Sequence, residues 1–588
     1  MKAALVLGMA LAVGFAPVAQ AQESPAGKVD MRWGERIPLR DGVKLSATVY
    51  LPRGQAAAAP CIFTLTPYIA QSYHDRGMYF AAHGLPFLTV DTRGRGNSEG
   101  EFRPLIQEAQ DGHDVVEWLA KQPYCNGKVS MWGGSYAGYN QWAAAKEGSA
   151  HLATIVPVAS PYPGADFPAR NNIAYPYLMQ WLTFTDGKTS QGNIFGDSDF
   201  WTSISRERFE KGEAFSTLPR ILGGEQKTLV EWISHPEVDA WYDSFAPTDA
   251  QFRAFDIPIL SITGSYDGDQ PGAFAFYKQH MKLGSAKARA NHYLIVGPWD
   301  HAGTRTPRAD VGGLTFGPAS LVDLPKLHVE WYKWAMAGGA KPDFLKKRVA
   351  YYVMGAERWR YADTLEAVTA EEKPFFLDSV ANADRVMASG SLSPAAAGKG
   401  GADSYVYDPR DVSGAALEAS LDPSRLNDQT LVLARDGKQL VYHSAPFDKP
   451  TEVSGFFRLS AWIAIDKPDT DFQAAVYEIT SDGGSIMLTN DVLRARYRES
   501  LREAKLVTSK APLRYDFDKF TFVSRQIAKG SRLRLVVGPI NSIHMQKNYN
   551  SGGVVSDETM ADARPVTVKL LHDKAHPSAL YIPFGQPE

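Results

Sequence analysis

The segment Lys128–Gly138, KVSMWGGSYAG, places Ser135 between an apolar strand pattern and a run of small residues. Glycine stands at positions 133, 134 and 138, while Ala137 takes the place where a G-x-S-x-G motif has its second glycine. A serine on such a strand-to-helix turn sits in strained backbone with its hydroxyl exposed above a sheet, which is the geometry of a nucleophile elbow. Glycine–serine sequences also occur in ordinary turns, so the assignment of Ser135 as a nucleophile depends on other residues of the chain.

Two further residues follow strand patterns in the order that a Ser–Asp–His triad on an α/β-hydrolase sheet requires. Asp267 comes just after the apolar run Ile257–Gly264, and His301 follows His292–Val296. A serine nucleophile needs a base for its proton and a carboxylate to orient that base. The order and spacing therefore predict Ser135, Asp267 and His301 as the catalytic residues. A structural histidine beside a turn aspartate is the alternative.

Strand and helix patterns alternate from residue 37 to about residue 160, which predicts a parallel sheet with helices on both faces. The strand patterns are Leu45–Leu51, Cys61–Thr66, Pro86–Asp91, Val129–Trp132 and Thr154–Ala159, and Asp111–Gln122 has a helical pattern. Residues 161 to 247 contain no strand run and many aromatic residues. The sheet pattern resumes at Ile257–Gly264 and closes with a helix, Leu324–Met336.

Four motifs together resemble the cocaine-esterase and X-prolyl dipeptidyl-peptidase family of serine hydrolases. They are Thr66–Tyr68 (TPY), Asp91–Gly100 (DTRGRGNSEG), Gly133–Gly138 and Gly297–His301 (GPWDH). The resemblance runs from about Arg32 to near the C-terminus. It implies an α/β-hydrolase domain at 22–160 and 248–345, a helical cap at 161–247, and an all-β jelly-roll, galactose-binding-like domain at 346–588.

The resemblance also implies an oxyanion hole formed by the Tyr68 hydroxyl and the backbone N–H of Tyr136. Two donors aimed at the oxyanion are what a tetrahedral intermediate needs. An ordinary buried aromatic is the alternative for Tyr68.

After about residue 347 the sequence changes to short strand patterns separated by turns, as in a β-sandwich or jelly roll. The predicted strands are Val349–Val353, Thr430–Leu433, Gly455–Ile465, Phe472–Ile479, Lys519–Val523 and Leu533–Val537, with a helical pattern at Asp491–Leu506 and a loop at Asp384–Asp403. Asp466–Asp471 lacks the glycine and terminal glutamate of a calcium loop and is predicted to be a polar turn. We expect this domain to be structural.

The first 21 residues have the pattern of a secretory signal peptide. Lys2 precedes the apolar run Ala3–Phe15, and Ala19-Gln20-Ala21 forms an A-x-A cleavage site. The chain is therefore expected in the periplasm or outside the cell, without a membrane anchor. The net charge of −3 over 588 residues gives no electrostatic reason to expect nucleic acid as a partner.

Cys61 and Cys125 are the only two cysteines, which excludes a disulfide framework and a cysteine-rich metal site. Each lies at the start of a strand that leads to a candidate site residue, and those strands are neighbours in an α/β-hydrolase sheet. The sequence is therefore compatible with two buried free thiols and with one disulfide between them. No metal or cofactor is expected.

The substrate is expected to be a small ester, amide or short peptide. Asp166, Trp181 and Asp269 are the candidate substrate-binding residues. One branch of the resembling family holds a substrate ammonium with a carboxylate cluster, but here Gln270 replaces one carboxylate. We therefore expect Asp269 to be an exposed polar residue and simple esters to be hydrolysed at least as well as aminoacyl esters.

Several alternatives stay open. An X-Pro dipeptidyl-peptidase or an α-amino acid ester hydrolase is the alternative within the class. A non-catalytic carbohydrate-binding protein is the alternative from another class, and a homo-oligomer is compatible with the sequence.

Overall fold

The computed structural model describes residues 25–221, 226–395 and 400–587, so the predicted signal peptide lies outside the described residues. The chain starts with strands that all join one sheet. These are β1 (Val29–Pro38), β2 (Lys44–Pro52), β3 (Ala59–Thr66), β4 (Phe87–Asp91), β5 (Cys125–Gly134) and β6 (Leu152–Val158). Between them lie α1 (His74–Ala82), α2 (Glu108–Ala120) and α3 (Tyr136–Ala145). The strand order is β1-β2-β4-β3-β5-β6, parallel from β4 onward.

The next segment carries the predicted helical cap. It contains the short strands β7 (Ala169–Arg170) and β8 (Ile173–Ala174), followed by the helices α4 (Tyr177–Thr185), α5 (Gly192–Phe195), α6 (Ser198–Lys211), α7 (Leu218–Ile221), α8 (Lys227–Ile233) and α9 (Ala240–Asp243). Most of the cap aromatics pack into the hydrophobic core beneath the helices, as expected for an insertion that has to bury its own apolar faces.

The sheet then resumes on the far side of β6. The elements are α10 (Asp249–Ala254), β9 (Ile259–Tyr266), α11 (Gln270–Leu283), α12 (Ala286–Ala290), β10 (His292–Asp300), the hairpin β11 (Asp310–Val311) and β12 (Leu314–Thr315), α13 (Leu324–Ala337), β13 (Val349–Val353) and β14 (Arg358–Ala362). The central strands are buried along nearly their whole length, because apolar clusters cover both faces of this parallel sheet. The predicted α/β architecture is confirmed.

Val349–Val353 joins a different sheet from the one we predicted. We predicted it as the first strand of the C-terminal domain, but β13 pairs in parallel with β10, and β14 adds an antiparallel edge. All five residues of β13 are buried. A short apolar run does not reveal which sheet it joins, since the long-range pairing decides that.

The C-terminal domain is a second sheet system of thirteen strands. In chain order they are β15 (Thr369–Asp378), β16 (Gly390–Ser393), β17 (Ala402–Tyr407), β18 (Leu440–Ser444), β19 (Thr451–Gly455), β20 (Arg458–Ile465), β21 (Asp471–Ile479), β22 (Ser485–Arg494), β23 (Leu513–Phe517), β24 (Val523–Ile527), β25 (Arg532–Pro539), β26 (Val566–Leu571) and β27 (Ala579–Gly585), with short helices α14 (Ala415–Ala419) and α15 (Thr430–Ala434). The alternating burial of β20 is typical of a sheet with one face on a core.

Four local predictions in this domain were wrong. Thr430–Leu433 lies in helix α15, and the helix predicted at Asp491–Leu506 is instead the end of β22 followed by a single 3-10 turn and irregular chain. The loop predicted at Asp384–Asp403 contains strand β16, and the strand predicted at Lys519–Val523 begins only at its last residue. In these four segments, contacts with the rest of the domain outweigh the local sequence pattern.

The predicted polar turn Asp466–Asp471 is partly a buried ion-pair site. Asp471 accepts hydrogen bonds from the Arg494 guanidinium at 2.8 and 2.9 Å, and Asp469 accepts one from Arg496 at 2.7 Å. Both carboxylates are fully buried. Among the residues that the structure describes, no group of three or more His, Cys, Asp or Glu is arranged to hold a metal ion.

The two cysteines are free, buried thiols on the adjacent strands β3 and β5. Within the described ranges, no helix combines the length and apolar character needed to cross a membrane.

A buried histidine pair joins α11 to β10 below the site. The Nδ1 atoms of His280 and His292 are 2.8 Å apart, and His292 Nε2 is 2.9 Å from the Ser261 hydroxyl. One Nδ1 has to accept from the other, so at least one ring is neutral. Burial lowers the pKa of both rings, that of His292 well below its usual range.

Because of this histidine pair, we expect the folded protein to lose stability in acid. At pH values between the lowered pKa of the folded state and the unfolded pKa of about 6.5, each ring binds a proton only after unfolding. As the pH falls through this range, the free energy of unfolding therefore decreases by up to about 1.4 kcal/mol per pH unit for each ring. We expect His292→Gln to flatten the pH dependence of the urea midpoint between pH 5 and 6.5. The exposed His83→Gln should keep the wild-type slope, and an unchanged slope in His292→Gln would contradict the assignment.

Candidate active site

Ser135 occupies a sharp turn between β5 and α3. Its φ is +60° and its ψ is −131°, a conformation that non-glycine residues rarely adopt. The Ser135 N–H donates to the Val158 carbonyl at 2.9 Å, which ties the turn to β6. Strain held in place by neighbouring structure is what a nucleophile elbow requires.

The small residues around Ser135 are needed because the backbone comes close. A Cβ on Gly133 would lie 2.7 Å from the Ala137 Cβ, and a Cβ on Gly138 would lie 2.6 Å from the Val158 carbonyl oxygen. Gly133 therefore leaves room for the methyl group of Ala137. Ala137, at the position of the second glycine in G-x-S-x-G, therefore fits into this turn.

His301 and Asp267 meet at the ends of β10 and β9. The His301 Nδ1 is 2.7 Å from Asp267 Oδ1, and Asp267 also accepts hydrogen bonds from the Asp269 N–H at 3.0 Å and the Thr263 hydroxyl at 2.9 Å. Burial opposes ionisation of Asp267, but His301 and these donors lower its pKa. Burial likewise opposes a charged imidazole, yet the Asp267 and Asp269 carboxylates raise the pKa of His301. With Nδ1 held by Asp267, Nε2 is left to exchange a proton.

Ser135 and His301 line the same cavity, but no hydrogen bond joins their side chains in the described part of the chain. The Ser135 Oγ instead lies 3.2 Å from the Tyr68 hydroxyl. In ligand-free sites, the bond from nucleophile to base is often long and forms only with substrate.

Tyr68 is held over the serine by the cap. The Trp181 indole N–H on α4 donates to the Tyr68 hydroxyl oxygen at 3.2 Å, and Phe184 stacks on the Tyr68 ring. Because Trp181 donates, the phenol proton stays free to point toward Ser135 and the cavity. Burial raises the pKa of Tyr68 to about 12, so the phenol remains a donor at neutral pH.

Tyr136 is the first residue of α3, so its backbone N–H has no acceptor within the helix. Its side chain is buried, and its hydroxyl donates to Glu108 and accepts from the Leu105 N–H. Burial raises the pKa of Glu108 to about 7. These contacts fix the helix start that carries the candidate oxyanion donor.

Arg95, in the Asp91–Gly100 motif, is a positioning residue that sequence reasoning named only as part of a motif. The fully buried guanidinium donates to the carbonyls of Pro67 at 2.8 Å and Asp186 at 2.7 Å. It thereby ties the residue preceding Tyr68 to the end of cap helix α4. The sequence shows an arginine between two glycines, but the hydrogen-bond partners of Arg95 are remote in sequence, so its role could not be predicted.

The cavity above Ser135 has a volume of about 710 Å³. The hydrolase domain and the cap supply one wall, and the C-terminal domain supplies another through residues such as Asn490 and His544. Arg170 of the cap also lines the cavity and donates to the Asn490 side-chain and backbone oxygens at 2.8 and 2.7 Å. The C-terminal domain is therefore more than a structural support, which corrects our expectation.

Among the acidic residues that line this cavity are Asp166, from the cap, and Asp269, from the turn after β9. Asp166 accepts backbone N–H bonds from Tyr162 at 2.8 Å and Gly272 at 2.6 Å. The Asp269 side chain is only 23% exposed, with Oδ2 3.8 Å from His301 Nδ1. Burial raises the pKa of both groups to about 8; the nearby Asp267 carboxylate adds to this effect on both groups, and Asp166 also raises the pKa of Asp269. Asp269 is thus not the exposed residue that we predicted.

Gln270 points away from the cavity. Its amide oxygen accepts from the Phe522 N–H at 2.6 Å, and its amide nitrogen donates to the Phe522 carbonyl at 3.0 Å. Gln270 therefore joins the turn carrying Asp267 to the C-terminal domain. Its identity does not weaken the carboxylate pair inside the cavity.

The fold and this arrangement define a serine hydrolase. Residues 41–303 match the model of the X-Pro dipeptidyl-peptidase (S15 family), and residues 344–580 match the X-Pro dipeptidyl-peptidase C-terminal non-catalytic domain. The chain belongs to this family, whose members act on small ester or peptide substrates.

Similar proteins span nearly the whole chain. Cocaine esterase of Rhodococcus sp. (strain MB1 Bresler) is 27% identical over 573 residues, covering 93% of this chain and 97% of the esterase. Two solved structures share the fold at 21% identity and a TM-score of 0.80. They are an α-amino acid ester hydrolase, with 98% and 100% of the two chains covered, and an aminopeptidase from a marine sediment Thaumarchaeota archaeon, with 99% of each covered.

Proposed function

We propose that this chain is a secreted hydrolase that cleaves ester or amide bonds through an acyl-enzyme on Ser135. The observation that carries the proposal is the elbow conformation of Ser135, with the Tyr68 hydroxyl 3.2 Å from its Oγ, in a cavity shared with the His301–Asp267 pair. Nucleophile, base, orienting carboxylate and oxyanion donors are the parts that acyl transfer needs.

In the proposed reaction, Ser135 Oγ attacks the substrate carbonyl while His301 Nε2 takes its proton. The Tyr68 hydroxyl and the Tyr136 N–H stabilise the oxyanion, and Asp267 stabilises the imidazolium. His301 then returns the proton to the leaving alcohol or amine. Water attacks the acyl-enzyme by the same route, releasing the acid and restoring Ser135.

Secretion is part of the proposal and is supported by the N-terminal segment. Cell fractionation and N-terminal sequencing of the exported protein test it, and we expect the mature chain to begin at Gln22.

A substrate panel tests the proposed activity. It compares p-nitrophenyl esters of increasing acyl length with aminoacyl-anilides and X-Pro-anilides. We expect turnover of the esters, whereas turnover of X-Pro-anilides alone would support a dipeptidyl-peptidase. No turnover of any of them, together with carbohydrate binding, would support a non-catalytic protein.

A second candidate, hydrolysis of α-amino acid esters, is favoured by the carboxylate pair Asp166 and Asp269. The buried Asp166 and the partly buried Asp269 share one cavity with the candidate nucleophile, and their raised pKa values indicate that a nearby cation would stabilise their charged forms. A substrate ammonium supplies that charge. Asp269 is only 23% exposed, so the reason for our expectation that simple esters are hydrolysed at least as well as aminoacyl esters no longer holds.

We expect kcat/KM for a phenylalanine ester to exceed that for its N-acetylated counterpart by 10-fold or more, a difference of about 1.4 kcal/mol. Asp269→Asn should remove most of this preference. Since Asp269 also raises the pKa of His301, the variant slows both substrates, and the ratio isolates binding of the amine. Asp300→Asn, outside the cavity, is the control, and an unchanged ratio in Asp269→Asn would refute the candidate.

A further inference from the structure

Two buried cations lie where the cap meets the C-terminal domain. Arg208 lies on α6, and Lys547 lies between β25 and β26, two residues before Tyr549. Their exposures are only 2% for Arg208, 3% for Lys547 and 2% for Tyr549. Arg208 Nε and Nη2, Lys547 Nζ and the Tyr549 hydroxyl are all buried without a hydrogen-bond partner in the described part of the chain.

The Arg208 and Lys547 cations lie over aromatic rings, and the Arg208 charge acts on the other two groups. Lys547 Nζ is 3.9 Å from the Phe209 ring centroid and 5.5 Å from that of Tyr549, while the Arg208 guanidinium lies 5.4 Å from the Phe215 ring. Burial and the Arg208 charge lower the pKa of Lys547 to about 7, and the Arg208 charge also acts on the Tyr549 hydroxyl. The Arg208 charge therefore acts on both Lys547 and Tyr549.

The acidic groups of the described residues act on this cluster only from a distance, as Glu213 does on Arg208. Within the described ranges, neither Arg208 nor Lys547 has a carboxylate oxygen within 4.0 Å. The acidic groups that act on Lys547 from farther away are Asp408 and Asp411, which already pair with Arg410 at 2.8 Å and Lys438 at 2.5 Å. Buried charges in proteins are normally paired, so two adjacent unpaired cations require an explanation.

We propose that Arg208, Lys547 and Tyr549 bind one small inorganic anion of the size and charge of chloride. All of their unpaired atoms can donate hydrogen bonds, and an arginine and a lysine can do nothing else. The anion is small because all three side chains are at most 3% exposed. A water molecule would accept the hydrogen bonds but would neither offset the Arg208 charge nor favour the protonated form of Lys547 beside it.

The position of the site gives the anion a structural role. Next to α6, the Ser216 N–H donates to Ser556, and the Met560 N–H donates to Gly212, so the cap already contacts the C-terminal domain here. An anion between Arg208 and Lys547 joins the same two parts. Because both parts line the catalytic cavity, the anion would stabilise its walls without touching Ser135.

The first test is the thermal midpoint of the full chain in sodium bromide against sodium gluconate at equal ionic strength. We expect bromide to raise the midpoint saturably, by about 3 °C or more, because it binds the folded state. Lys547→Met should abolish the bromide effect. Lys211→Met, which removes an exposed lysine of the same helix paired with Glu207, should keep it.

The second test does not depend on a folded variant. A crystal of the wild-type protein grown in bromide should show an anomalous scattering peak between the Arg208 guanidinium and the Lys547 ammonium. Water density at that point without anomalous signal, or a bromide response that is equal in Lys547→Met and wild type, would overturn the proposal.

Discussion

Replacing Ser135 with alanine is expected to lower kcat by roughly 10⁴-fold or more, because no other group can form the acyl-enzyme. The expected change in KM is small, since the oxyanion donors and the cavity walls stay in place. The measurement is steady-state hydrolysis of the best p-nitrophenyl ester. The strained turn itself is retained, because alanine and serine share the same backbone limits at a φ of +60°.

Ser265→Ala is the matched control. Ser265 is also buried near the site, on β9, and its hydroxyl has no hydrogen-bond partner within the described residues. It should keep wild-type kcat. Comparable losses in both variants would indicate general damage to the domain, and wild-type turnover in Ser135→Ala would refute the mechanism.

Tyr68→Phe is expected to lower kcat by about 10²-fold or more with little change in KM. One oxyanion donor contributes roughly 3 kcal/mol to the transition state and little to substrate binding. Trp181→Phe should lower kcat in the same direction but by less, because Trp181 orients the Tyr68 hydroxyl without reaching the oxyanion itself. Both effects are measured with the same ester.

Tyr73→Phe is the control for Tyr68. Tyr73 lies near the site but not in the cavity wall, so the loss of its hydroxyl should leave kcat within a few-fold of wild type. If Tyr68→Phe raised KM and left kcat unchanged, Tyr68 would be a wall of the pocket and not an oxyanion donor. The oxyanion hole would then need another donor.

Local sequence predicted much of the hydrolase domain correctly. The strand runs around Ser135, Asp267 and His301 are long, apolar and bounded by turns, so a parallel sheet was the simplest arrangement for them. That sheet brings Asp267 and His301 together at the ends of β9 and β10. The elbow was readable because its small residues follow from close backbone contacts within one turn.

What the sequence did not reveal depends on contacts between distant segments. Asp269 and Gln270 are adjacent, yet one faces the cavity and the other binds the backbone of Phe522, and no local pattern decides which. The same holds for β13, whose apolar run fits either sheet. The Arg208–Lys547 cluster exists only because the C-terminal domain packs on the cap.

Covalent labelling tests the central claim most directly. The wild-type protein is treated with a fluorophosphonate probe, digested and mapped by mass spectrometry, with Ser135→Ala in parallel. We predict one probe per chain, attached to the peptide containing Ser135, with loss of esterase activity in proportion to labelling and no adduct on Ser135→Ala. An adduct on another residue, or full activity in a protein completely labelled at Ser135, would contradict the account.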